Sequence, residues 1–260
     1  MMDQDHKISV VINTYNASRH LAEVLETVKN FDEVVVCDME STDDTLQIAR
    51  RYGCRIVTAL PGEYRIPEPA RTLAVQSASN KWVFSVDADE LVTPELREYL
   101  YDRIRRGDCP AGLYVARRNR FLGKLQHTSK DYQLRFMIKE GTYWPPHVHA
   151  RPVVNGTTER IPYRKELCLE HLSDETIWEV VRKNNDYSES ERDVKKHRHF
   201  GCWALIMRPV WRFCRAYFIH GGWRDGKRGL IRSALWAQYH FLVVAKMIEQ
   251  RLKEEDDFKI

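Results

Sequence analysis

The chain has 260 residues, of which 43% are hydrophobic and 30% charged, with a formal net charge of +4. That length fits one large domain or a catalytic domain with an appendage, and the hydrophobic share can build a sizeable core, which excludes a disordered or fibrous protein. The six cysteines form no Cys-x-x-Cys pair or metal-finger spacing, no uncharged run reaches the roughly 18 to 20 residues of a membrane span, and no apolar leader precedes the first strand, so reduced thiols in a cytosolic protein are expected.

Ile8 to Asn13 reads as a buried strand, and Leu21, Val24, Leu25 and Val28 keep the spacing of a helix with one apolar face. Glu33 to Asp38 is a second apolar strand. Ser41-Thr42-Asp43-Asp44 then reads as a capping box opening a helix that Gly53 can end. Arg55 to Ala59 is a third strand, the Pro-rich loop Pro61 to Pro69 leads into a helix to about Ser79, and the apolar run Trp82 to Val86 delivers Asp87. Thr93-Pro94 supplies an N-cap and a first-turn proline for a helix closing at Gly107. This alternation predicts an α/β fold, a mainly parallel sheet covered by helices on both faces.

From Gly112 the texture changes to shorter extended runs, Leu113 to Arg117 and Tyr132 to Ile138, and a helix is expected from near Ser173 past Tyr187. The expected division is a catalytic domain over residues 1–199, with a nucleotide-binding half to 107 and an acceptor-facing half from 108, followed by a helical appendage over 200–260.

Asp87-Ala88-Asp89 is the most informative triplet. Two carboxylates where a buried strand meets the surface are costly without a cation or hydroxyl partner. On an extended strand Asp87 and Asp89 would share a face about 7 Å apart, with Ala88 opposite, a spacing suited to a sugar hydroxyl and a metal. Magnesium or manganese takes one or two protein carboxylates and fills its other positions with phosphate oxygens and water. Asn13-Thr14-Tyr15, Asp38 and Asp87 to Asp89 all fall at expected strand C-termini, where α/β sheets bind ligands.

Four motifs in order resemble the family 2 glycosyltransferases of the GT-A, Rossmann-like fold: residues 9 to 16, residues 35 to 45, Ala70-Arg71, and Phe84 to Glu90. Asp131-Tyr132-Gln133-Leu134-Arg135, His147-Val148-His149, Gly222 and Asp225-Gly226 look like the branch of bacterial lipopolysaccharide-core β-1,4-glucosyltransferases. The resemblance implies an inverting transfer of a sugar from a nucleotide-sugar, a UDP-sugar first, to a lipid-linked or lipopolysaccharide acceptor, with Mn2+ or Mg2+ as cofactor. It implies that Thr14, Tyr15, Asn16, Asp38, Arg71, Asp87, Ala88 and Asp89 bind the nucleotide. Tyr15 would stack near the base, Asp38 would accept from its N–H, Asp87 would meet the ribose and Asp89 the metal. Two departures stand out: Arg71-Thr72 where many relatives have Arg-Asn, and Val148-His149-Ala150 where the looser branch often has Val-His-Glu. The missing acid makes Asp131 and His149 the candidate catalytic bases, with His147, Glu170 and His171 behind them.

Two other classes share part of this pattern. A haloacid-dehalogenase-like phosphatase would carry Asp-x-Asp on its first strand, whereas three strands precede it here, and an inactive membrane-peripheral module would keep the fold without turnover. From Val194 to Arg232 Asp225 is the only acid amid many Lys and Arg, which points to an anionic partner. If residues 203–218 are helical, Arg208, Arg212 and Arg215 form a stripe beside Trp203, Met207, Val210, Trp211, Cys214 and Phe218, the layout of an interfacial helix on the inner face of the cytoplasmic membrane, or of an oligomer contact. Pro209 is expected to kink or divide it.

Overall fold

The computed structural model describes residues 4–59, 68–126, 131–146, 150–195 and 200–257. The chain divides into two compact units, residues 1–118 with 130–172 and residues 119–129 with 173–260. In chain order the elements are β1 (Ile8–Thr14), α1 (Ser18–Val28), β2 (Glu33–Asp38), α2 (Thr45–Arg51), β3 (Arg55–Thr58), α3 (Glu68–Ser77), β4 (Trp82–Asp87), β5 (Glu90–Leu91) and α4 (Pro94–Arg105). There follow β6 (Gly112–Phe121), β7 (Lys124–Leu125), β8 (Asp131–Ile138), β9 (Thr158–Arg160), β10 (Leu169–Glu175), α5 (Ile177–Lys195), α6 (Ala204–Cys214) and α7 (Gly226–Asp257).

The strands form one mixed sheet in the order β3-β2-β1-β4-β8-β6-β10-β5, with β7 and β9 paired to β6. β1 runs parallel to both β2 and β4, β3 parallel to β2, and β8 antiparallel to β4. Alternation on β1 explains the helical covering. Ile8, Val10 and Ile12 face a core built with Leu21, Val24, Leu25 and Val28 of α1 and Leu96, Leu100 and Ile104 of α4, whereas Val11 faces Ala70, Ala74 and Val75 of α3. Thr93 caps α4 by accepting from the Leu96 N–H at 3.1 Å.

Three local expectations fail for identifiable reasons. Ser41 does not cap α2. It is drawn to Asp38, and Asp43 instead accepts from the Thr45 N–H at 3.1 Å and the Ser18 N–H at 3.0 Å, tying the starts of α1 and α2 together. Ser173 lies in β10 rather than in a helix, because the cap is Thr176: its hydroxyl accepts from the Glu179 N–H at 3.2 Å while Glu179 accepts from the Thr176 N–H at 2.8 Å. β4 stops at Asp87 and residues 88–89 form a turn, so the period of two does not extend to Asp89. Ala88 packs against the core beneath α1 and α4.

In the second unit α7 is the spine, with α5 and α6 packed along it. Asn184 donates to the Leu235 carbonyl at 3.0 Å, and Lys246 donates to the Asn185 carbonyl at 2.8 Å. Gly229 is required where α7 begins, because a Cβ there would stand 1.8 Å from the Gly222 carbonyl oxygen. Pro209 lies inside α6 without dividing it, and a π-helical turn over Arg215–Ile219 follows. Among the described residues no helix is long and apolar enough to cross a membrane.

Candidate active site

Register places the site. Thr14 pairs with Asp38 across β1 and β2, and Asn13 pairs with Asp87 across β1 and β4, so the C-terminal ends of three parallel strands form one edge. There the Thr14 hydroxyl donates to Asp38 at 2.7 Å, and the Ser41 N–H donates to the same carboxylate at 2.8 Å. Asp38 is only 1% exposed, and its oxygens hold the loop after β2. Asn16 adopts a left-handed φ of 48°, which asparagine tolerates, and its side-chain oxygen accepts from the Thr42 N–H at 2.8 Å. Between these fixed residues Tyr15 is 62% exposed, an open aromatic face at the mouth of the edge.

Asp87 belongs to a buried ion cluster. Arg135, on β8 and 1% exposed, donates to Asp87 Oδ1 at 3.1 Å and to the fully buried Glu90 at 2.7 Å. Arg71, on α3, reaches the same Asp87 oxygen at 3.2 Å, and the Asp87 N–H donates to Glu90 at 2.9 Å. Burial alone would raise the Asp87 pKa, but Arg135, Arg71 and Arg117 outweigh it and hold the carboxyl well below its usual range. Burial pushes Glu90 the other way, upward, despite Arg135. Asp87 is therefore a fixed, charged acceptor whose orientation is set by two guanidinium groups.

Asp89 faces a different partner. Its carboxylate lies 3.0 Å from His171 Nε2, and its carbonyl accepts from the Leu172 N–H at 2.7 Å, so the turn after β4 is locked to β10. Among the described residues no group of three or more His, Cys, Asp or Glu could hold a metal alone. Asp89 with His171 supplies two donors, which fits an ion that draws its other ligands from a diphosphate and water.

Asp131 opens β8, and one of its oxygens is held by Arg117 at 2.9 Å and Gln133 at 3.3 Å, while among the described residues the other accepts no hydrogen bond. It lines a cavity of about 530 Å³ bounded also by Arg71 and Arg135, so it stands on the β8 side of the Asp87 cluster. His147 and His149 lie outside the described residues.

The glycosyl transferase family 2 model matches residues 9–210. The chain belongs to glycosyl transferase family 2. It is 30% identical over 273 residues to an uncharacterized glycosyltransferase of Rickettsia typhi, a match covering 96% of this chain and 89% of the relative. It is 28% identical to the lipopolysaccharide core biosynthesis glycosyltransferase LpsC of Rhizobium meliloti, covering 94% and 92%. Among solved structures the mannosyltransferase PcManGT from Pyrobaculum calidifontis, in complex with GDP-Man and Mn2+, is similar in fold, with a TM-score of 0.54 at 15% identity over 93% of this chain and 87% of that one.

This family 2 glycosyltransferase thus has the expected GT-A fold. Its edge also contains residues that sequence reasoning did not bring forward. In the sequence Arg135 stands only as part of a motif, and Glu90 only as the residue after Asp-x-Asp. His171 was only a reserve for the base. An arginine inside the apolar run of β8 was the signal: a guanidinium in such a strand requires a buried carboxylate.

Proposed function

We propose that this glycosyltransferase is a divalent-metal-dependent, inverting enzyme that moves a sugar from a UDP-sugar to a lipid-linked or lipopolysaccharide acceptor. The observation that carries this reading is the single edge on which exposed Tyr15, Asp38, Arg71-bound Asp87 and His171-bound Asp89 meet. Tyr15 covers the base, and Asp38, already engaged by Thr14 and Ser41, offers its remaining acceptor capacity to the base imide. Asn16 and Thr14 shape the loop that receives the base. Asp87 accepts from the ribose, aligned by Arg71 and Arg135, while Ala88 anchors the turn to the core. Asp89 with His171 holds Mn2+ or Mg2+. When bound, that ion offsets the charge of the departing diphosphate.

The other oxygen of Asp131 takes the proton of the acceptor hydroxyl as the hydroxyl's oxygen attacks the anomeric carbon from the face opposite the nucleotide and the nucleoside diphosphate departs. His149 is the other base proposed, and the assay of both variants separates them. The similarity to LpsC, a lipopolysaccharide core enzyme by name, supports this acceptor class. The similarity to PcManGT, bound to GDP-Man and Mn2+, supports a nucleotide-sugar and a divalent ion.

In the second unit α6 buries none of its residues, and Trp203 (79% exposed), Met207, Val210, Trp211 and Phe218 stand open beside Arg208, Arg212 and Arg215. We assign this face to the anionic inner surface of the cytoplasmic membrane. Flotation of the full chain with anionic vesicles should be lost on Trp203→Ser/Trp211→Ser/Phe218→Ser, whereas unchanged flotation with an altered oligomeric state would mean a subunit contact. For the activity itself, the test is turnover of UDP-, GDP- and dTDP-sugars with and without Mn2+. UDP-sugar turnover that vanishes in EDTA is expected, and turnover of none of them with the ion present would refute the reading.

A further inference from the structure

The cavity on the β8 side of the Asp87 cluster is lined by none of Tyr15, Asp38 and Asp89, the groups assigned to base and metal. It shares Arg71 and Arg135 with the Asp87 cluster and contains Asp131, so what enters it lies beside the groups assigned to the donor. Its volume, about 530 Å³, lies within the range of small-ligand sites.

Among the described residues four arginines line it, Arg71, Arg135, Arg151 and Arg160, against two acids, Asp131 and the buried Glu68. Arg71 and Arg135 are committed to Asp87 and Glu90, and Arg117 to Asp131. Arg151 and Arg160 also line the cavity, and among the described residues neither has a carboxylate partner. The acid beside Arg160, Glu159, is taken by Arg103 at 2.9 Å, and the Arg160 guanidinium lies 5.3 Å from the centroid of the Tyr132 ring. Each of these two guanidinium groups, one of them resting on an aromatic face, offers a planar fork of donors to an oxyanion. A neutral glycan would leave both without a counter-charge.

We propose that this cavity is an acceptor subsite for a glycan carrying an anionic substituent, a phosphate ester or a sugar carboxylate, that docks on Arg151 and Arg160 and brings a neighbouring hydroxyl to Asp131. The inference rests on the reading of the chain as a nucleotide-sugar-dependent transferase and gives its acceptor a charge.

The test is calorimetry on the full chain, with and without UDP and Mn2+, using mannose 6-phosphate and glucuronate as probes and mannose and glucose as neutral controls. At least one anionic probe should bind tenfold or more tightly than its neutral parent, and the tighter of the two identifies phosphate or carboxylate as the group recognised. Arg151→Ala/Arg160→Ala should abolish that preference while UDP affinity stays as in the wild type. Because both side chains are exposed and make no ion pair among the described residues, the variant should fold normally, checked by its melting temperature. Anionic and neutral probes binding alike, no binding of either anionic probe, or a preference retained by the double variant would each overturn the proposal. Failure of UDP to bind while the arginine-dependent preference persists would instead remove the donor reading and leave the anion subsite standing.

Discussion

Replacing Arg135 by methionine takes a cation out of a site that is 1% exposed and leaves Asp87 to Arg71 and Glu90 to Arg117, with the bridge between the two carboxylates gone. Breaking a buried ion pair from one side costs about 3–5 kcal/mol. At about 2–4 °C of melting temperature per kcal/mol for a domain of this size, calorimetry at pH 7 should show a fall of about 6–20 °C. The sign of the pH dependence follows from Asp87. Its pKa is depressed in the folded protein, so it contributes stability that is present above the unfolded value, about 3.9, and is lost as pH falls through the folded value. Without Arg135 the carboxylates rise in pKa and protonate on mild acidification, so the gap between wild type and variant should narrow from pH 7 to pH 4. Arg135→Met/Glu90→Gln should recover at least about 1 kcal/mol relative to additive losses. A loss under about 1 kcal/mol at pH 7, or a gap that widens toward acid, would refute the cluster as the support of Asp87.

Asp38→Ala should weaken UDP binding by about 1.5–3 kcal/mol, the worth of a hydrogen bond to a charged group, and equal wild-type affinity for UDP and CDP would count against the base contact. Asp131→Ala should lower transfer by about 10²- to 10⁴-fold with UDP affinity unchanged, whereas near-normal transfer would move the base to His149. Burial pushes the thiols of Cys37 and Cys54 up to about 11 and that of Cys109 up to about 12, whereas Cys202 is exposed. Iodoacetamide at pH 8 on the native protein should therefore modify Cys202 and spare the other three, as read by peptide mass spectrometry.

The first half of the chain was legible because its strands and helices carry their own signals. The face of α1, the Thr93 cap and the strand ends at Thr14, Asp38 and Asp87 all follow from period, cap chemistry and the parallel-sheet rule. Contacts distant in sequence were not legible. Arg135 meets Asp87 across 48 residues and His171 meets Asp89 across 82, and no local pattern encodes either pairing. The cap of α5 was missed although Thr176 and Glu179 have capping-box spacing, because β10 occupies the residues just before it. Ser41 failed as a cap because a nearer carboxylate, Asp38, competes for it.

The most direct measurement is UDP binding by calorimetry to the wild type and to Asp89→Asn, each with Mn2+ and with EDTA. Wild-type affinity should fall at least tenfold when the ion is removed, and Asp89→Asn should bind with Mn2+ no better than the wild type does in EDTA. Equal UDP affinity in all four conditions would contradict the assignment of Asp89 to the metal, and no affinity in any of them would contradict a uridine nucleotide at this edge.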